Sequence, residues 1–229
     1  MKVGAMQPYF LPYIGYFQLM KAVDRYVIAD DLNYIKQGWI NRNKLLLNGT
    51  EYLFNLVVVG ASQNKLIKDI EVAVDQSKLL TTIEVNYRKA PFFSDVFPLL
   101  EKIIYFEDKN LARYLGNSLM QIAKYLKFDT EFYYMSALER DYSLRAQNMV
   151  INVCMLMKAT EYLNAIGGVE LYGKDKFKLA GIDLYFLKTK KIEYEQFNNA
   201  FVSGLSILDV LMFNSVEQTN ELLEQYELL

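Results

Sequence analysis

Histidine is absent from all 229 residues. That single lack excludes Ser-His-Asp and Cys-His catalysis, HExxH zinc sites and any histidine general base. Chemistry in this chain must run on Asp, Glu, Lys, Arg, Tyr, Ser or a bound group. Cysteine occurs once, at Cys154. No disulfide can form within the chain, which points to a reducing compartment. Its neighbours, Val150-Ile151-Asn152-Val153 and Met155-Leu156, read as an apolar helix face, so the thiol belongs to the core. No charge of either sign dominates: 25 Lys and Arg face 27 Asp and Glu, a net charge of −2. A field able to hold nucleic acid or an anionic membrane is missing. No apolar run reaches the ~18 residues of a membrane span. Lys2 is followed by four small or apolar residues before Gln7-Pro8, too few for the apolar region of a secretory signal. The expectation is a cytoplasmic protein. Pro- or Gly-rich linkers, repeats and low-complexity tracts are lacking as well, so one domain over 1–229 is expected.

What is present is a globular composition, 52% hydrophobic and 23% charged. Tyrosine is plentiful at 18 and phenylalanine reaches 14, most of them expected in packing. Lys2–Met6 is a short apolar run ended by Gln7-Pro8 and predicts a buried strand. Gly15–Ala22 predicts a helix and Arg25–Ala29 a second strand, so the chain opens as strand, helix, strand. Residues 31–48 read as a polar loop around Trp39. A strand pair is expected over 51–59 and 67–74, turning at Gly60-Ala61-Ser62. Helical patterns over 77–89, 94–106 and 110–128 suggest a cap over the sheet. Strands are expected at 131–135, 161–165 and 183–187, and helices at 144–158, 205–213 and 216–226. The predicted fold is α/β: a mostly parallel, Rossmann-like sheet covered by helices, with a β-rich insertion and a helical block.

Ligands of open parallel sheets bind beyond the carboxyl ends of the strands. There the sequence places Gln7-Pro8-Tyr9-Phe10-Leu11-Pro12-Tyr13-Ile14-Gly15-Tyr16 and Asp30-Asp31. Two prolines stiffen the first stretch, and Gly15 permits close approach to a helix N-terminus. A hydrophobic staple would use the same aromatics for packing alone. Asp30 and Asp31 are candidates for Mg²⁺ or for a proton acceptor, Asp31 preferred; a solvated turn is the plain alternative. In the following loop Arg42 suits phosphate or carboxylate, Trp39 suits stacking, and Lys36, Asn41 and Asn43 offer further polar contacts. Gly168, in Gly167-Gly168, follows a strand and can present backbone N–H groups. Gln196, Ser206 and Asp209 are candidates near the C-terminus, although Ser206 also reads as an N-cap. Arg145 opens a helix as an outlying anion ligand.

The opening stretch 7–17, with Val23–Asp31 and Tyr34–Asn43, resembles the signature of the WbqC-like family of bacteria. The resemblance continues at Tyr87–Phe93, Gly167-Gly168, Tyr194-Glu195-Gln196 and Leu205–Asp209. It implies a role in O-antigen or other surface-polysaccharide biosynthesis, with aminoacyl, glycine-type transfer to an amino sugar as the suggested reaction. The partners so implied are an amino sugar or sugar nucleotide and an amino-acid donor. Tyr9–Tyr16 is also similar to the HxGH loop of nucleotidylyltransferases, with Tyr13 and Tyr16 in the histidine positions. That similarity implies a nucleotide triphosphate with Mg²⁺. A phenol near pKa ~10 brings no positive charge to such a loop. Three functions therefore stand: aminoacyl transfer with Tyr13, Tyr16 and Asp31 at the reacting centre beside Gln7, nucleotidylyl transfer, and non-catalytic sugar-nucleotide binding. The first requires Tyr16 and Arg42 to share one hollow.

Overall fold

The computed structural model describes residues 1–197 and 200–229. The chain begins with β1 (Lys2–Met6), α1 (Ile14–Lys21) and β2 (Arg25–Ile28). The hairpin β3 (Arg42–Leu47) and β4 (Thr50–Asn55) follows, then β5 (Val58–Val59) and β6 (Glu71–Val72). Helices α2 (Ser77–Tyr87), α3 (Phe93–Ile104) and α4 (Leu111–Tyr125) form one run. The remainder is β7 (Glu131–Tyr134), α5 (Ala146–Leu156), β8 (Glu161–Ala165), α6 (Lys174–Leu179), β9 (Asp183–Thr189), α7 (Ile207–Phe213), α8 (Val216–Leu223) and β10 (Tyr226–Leu228).

Six strands form the central sheet in the order β10-β9-β8-β1-β2-β7. Every pairing is parallel except β10 with β9. Residues Val3, Gly4 and Ala5 of β1 are all buried, because helices cover both faces and leave no polar side. On one face α5 and α6 bring Val150, Val153, Cys154 and Phe177 against Val3, Val27 and Tyr162. The other face packs on Phe17 and Met20 of α1, Leu119 of α4 and Leu211 of α7. Burying a side chain such as Phe17 contributes about 1.5–3 kcal/mol. Helices α2–α4 share this second core with the hairpin. Gly116 of α4 lies so close to Tyr134 of β7 that a Cβ there would stand 2.2 Å from the phenol oxygen.

The chain builds β1, β2 and β7 in one direction, then returns to the other side of β1 for β8 and β9. The gap between β1 and β8 is therefore the topological switch point. Three readings of the sequence change. The stretch 31–48 is not all loop: Arg42–Leu47 pairs with Thr50–Asn55 around Asn48-Gly49. Both turn residues have positive φ, 51° and 77°, which is the two-residue hairpin geometry that Asn-Gly favours. The expected pair around Gly60 shrinks to Val58-Val59 against Glu71-Val72. The last helix stops at Leu223, and Tyr226–Leu228 becomes an edge strand. Among the described residues no helix is long and apolar enough to cross a membrane.

Candidate functional site

The loop from Gln7 to Tyr13 leaves β1 at the carboxyl rim of the sheet and is clamped by backbone contacts. Phe10 N–H donates to the Ile40 carbonyl at 2.9 Å, and Ile207 N–H donates to the Pro12 carbonyl at 2.8 Å. Leu11 is buried with φ 46°, a left-handed conformation that costs a non-glycine residue roughly 1–2 kcal/mol. Its carbonyl accepts from Asn43 Nδ2 and from Ser206 Oγ, both at 2.7 Å. Two buried donors thus fix a strained turn that the loop would otherwise relax. Ser206 is also the N-cap of α7, accepting from Leu208 N–H. Asn43 and Ser206, expected as ligand contacts, are spent on holding this loop.

The clamped loop divides the rim into two hollows. The first, about 370 Å³, lies over the β1/β8 switch point. Gln7, Tyr9, Asn164, Gly168 and Tyr172 line it. The second, about 430 Å³, lies between the start of α1 and the exit of β9. Tyr13, Lys190, Lys191, Tyr194, Phe201 and Ser203 line this one. We call them the β1/β8 crevice and the α1 hollow.

In the α1 hollow Tyr13 is the N-cap residue of α1, and no side chain caps the helix start. Gly15 makes this possible: a Cβ there would stand 2.4 Å from the Tyr13 ring and 2.6 Å from Thr189 Oγ1. Burial raises the Tyr13 pKa, so the phenol stays protonated at neutral pH and can donate. Lys191 pairs with Glu193 at 2.8 Å, whereas Lys190 has no ion pair among the described residues. Behind the hollow sits Asp209, fully buried. Its carboxylate accepts from Tyr87 at 2.8 Å, from Tyr194 at 2.6 Å and from Gln196 Nε2 at 2.7 Å. No cation pairs with it among the described residues. Burial raises its pKa above the ordinary carboxylate range, partly opposed by those three hydrogen bonds. Asp209 occupies the first turn of α7, where the helix dipole favours negative charge. Gln196 also grips Val202 through both its amide atoms.

Other expected residues lie elsewhere. Tyr16 is wholly buried, its hydroxyl donating to the Gln7 carbonyl at 2.8 Å. Only Tyr13 of the two histidine-equivalent positions faces a hollow. Asp30 accepts from Ser136 N–H at 2.9 Å and from Ser136 Oγ at 2.5 Å. Asp31 forms a buried pair with Arg140, Nη2 to Oδ2 at 2.6 Å. A guanidinium that close opposes a cation, and no group of three or more His, Cys, Asp or Glu able to hold a metal occurs among the described residues. Mg²⁺ at Asp30-Asp31 does not fit. Asn41 bonds Tyr34 and the Leu56 carbonyl. Arg42 donates to the carbonyls of Gly38 and Gln37 and lies over the Trp39 ring at 5.6 Å. Trp39 and Lys36 are exposed on that loop. Neither hollow is lined by Tyr16 or Arg42, so the shared hollow expected for them does not form. Arg145 donates to the Tyr142 and Leu144 carbonyls of its own turn.

Lys190, Tyr194 and Asn164 also line the two hollows and are not among the residues that the sequence marks out. Asp209 left a signal, being the one charge inside the apolar run Leu205–Met212. Lys190 left none, lying within a basic stretch typical of a solvated strand end.

Residues 7–221 match the sequence model of a family described as the WbqC-like protein family. The uncharacterized protein Rv1507c of Mycobacterium tuberculosis is 29% identical over 223 residues, covering 93% of either chain. No solved structure matches the chain.

Proposed function

The chain belongs to the WbqC-like protein family, and from that premise we propose that it is a transferase of surface-polysaccharide biosynthesis. Its reaction is transfer of an aminoacyl, glycine-type group to an amino sugar, with the α1 hollow as reacting centre. One observation carries this. The family-like segments 7–17, 194–196 and 205–209 are far apart in sequence, yet they meet around that hollow.

The chemistry follows from the side chains there. Lys190 holds the anionic group of an activated acyl donor. The sugar amine forms a C–N bond to the acyl carbon, and the bond from that carbon to the donor's leaving oxygen breaks. The leaving group departs as an anion beside Lys190. Tyr13 donates to the oxyanion that develops on the acyl oxygen. The proton lost by the amine passes to the Tyr194 oxygen while the Tyr194 proton moves to Asp209. A raised pKa makes Asp209 the better acceptor. No step uses Mg²⁺ or a nucleotide triphosphate.

Tyr194→Phe interrupts this relay and keeps the ring. Turnover with an amino-sugar nucleotide and an activated glycine donor is expected to fall by roughly 10²–10⁴-fold, with substrate affinity held. Equal turnover in the variant overturns the relay. Nucleotidylyl transfer is the alternative enzyme reading, and pyrophosphate exchange into ATP or CTP separates it. Burial of Tyr16 speaks against it, since one of the two loop positions cannot reach a phosphate. A non-catalytic sugar-nucleotide binder is favoured by the internal satisfaction of Asp209, and it predicts binding with no turnover.

A further inference from the structure

The β1/β8 crevice is separate from the α1 hollow and has a different chemical character. It sits where the direction of sheet construction reverses, outside the carboxyl ends of β1, β2 and β8. No Asp, Glu, Lys or Arg lines it. A phosphate placed there would lose its water with no cation in exchange. A wholly apolar ligand fits no better, because the walls carry polar atoms in need of partners.

Asn164 is the clearest of these. It is 7% exposed and lies at the end of β8. Its Oδ1 accepts from Ala165 N–H at 2.9 Å. Its Nδ2 has no partner among the described residues and is held over Gly168, where a Cβ would stand 2.2 Å away. Glycine at 168 is what gives that amide room beside the crevice. Gln7 uses only its Nε2, in a 3.3 Å bond to the Asn33 carbonyl, and its Oε1 remains an acceptor. The Tyr9 and Tyr172 hydroxyls have no partner among the described residues, and burial keeps both phenols protonated. Tyr172 stands edge-on to Tyr162 and Phe177, which stack at 5.3 Å and set its ring rigidly in the wall.

An amide donor, an amide acceptor, two phenols and an aromatic wall, without net charge, match one ligand chemistry. From this geometry we propose that the β1/β8 crevice binds a neutral polyhydroxylated ring: Asn164, Gln7, Tyr9 and Tyr172 hydrogen-bond its hydroxyls. A sugar residue and the ribose of a nucleoside share this chemistry. The assignment stands whether or not the α1 hollow performs transfer.

The test is saturation-transfer NMR and calorimetry on the whole protein with N-acetylglucosamine, uridine, UDP-N-acetylglucosamine and inorganic phosphate. Binding of N-acetylglucosamine supports the site with a sugar as its source; binding of uridine without the monosaccharide supports it with ribose as the source. Tyr9→Phe, a change that leaves the fold in place, and Asn164→Ala should each weaken the bound probe by about tenfold. Gly168→Ala should do the same by displacing Asn164. Lys190→Ala should leave the affinity of the neutral probe unchanged, which keeps this outcome distinct from failure at the α1 hollow. Unchanged affinity in both Tyr9→Phe and Asn164→Ala overturns the proposal. So does phosphate displacing the ring probe, or no ring probe binding at all.

Discussion

Replacing Tyr87 by phenylalanine removes one oxygen atom and strips two partners at once. The Tyr87 hydroxyl accepts from Leu46 N–H and donates to Asp209 Oδ1, both at 2.8 Å, and the residue is fully buried. Losing the bond to the carboxylate costs about 1.5–3 kcal/mol, and an orphaned buried amide about 1–3 kcal/mol. The two losses overlap because local relaxation serves both, so about 2–4 kcal/mol is expected. With m near ~2 kcal/mol/M, the urea midpoint should drop by about 1–2 M. The deficit should also depend on pH. Burial sets the folded-state pKa of Asp209 above its unfolded value. Its stabilising contribution is therefore fully present below the unfolded pKa and is lost as pH rises through the folded one. The Tyr87 hydrogen bond lowers that folded pKa. Without it the pKa rises further, and the variant's deficit is largest near neutrality and narrows toward pH 4. Urea melts of both proteins at pH 4 and pH 7 measure this. A deficit that is equal at the two values, or below about 0.5 kcal/mol at pH 7, would falsify the view of Asp209 as a buried carboxylate held by neutral donors.

Arg140→Ala should cost about 3–5 kcal/mol, since it leaves Asp31 buried without its cation; a loss no larger than that of a surface ion pair in denaturant melts would contradict the burial of the pair. Tyr16→Phe should cost about 1 kcal/mol through the bond to Gln7 and leave turnover intact; a large fall in turnover would return Tyr16 to the reacting centre. Cys154 is buried and its thiol pKa is pushed up to about 12 by burial. Alkylation by iodoacetamide at pH 8 should proceed only as fast as the protein opens, and prompt labelling of the native protein would rule out the buried thiol.

The sequence by itself determined the elements whose signal is local. The runs at Lys2–Met6, Arg25–Ile28 and Glu161–Ala165 have mostly apolar, buried interiors because both faces of their sheet are covered, and the helices over 77–125 declare themselves by period. It also pointed to the carboxyl rim of the sheet, where Gln7, Tyr13 and Gly168 each line a hollow. The hairpin was legible in Asn48-Gly49, but the polar residues before it masked the strand. Edge strand β10 gave no such cue, because three residues at a helix exit pair only after β9 is in place. The division of labour among polar residues belonged to tertiary structure. Asn43, Ser206 and Tyr16 have the types expected of ligand contacts, yet they bond carbonyls of the first loop. A side chain turned toward a backbone carbonyl and one turned toward a cavity look alike in sequence. The buried pairs Asp31 with Arg140 and Asp209 with Tyr87 span 109 and 122 residues. Spacing along the chain carries no record of such contacts; they exist only once the sheet has brought its distant strand ends to one edge.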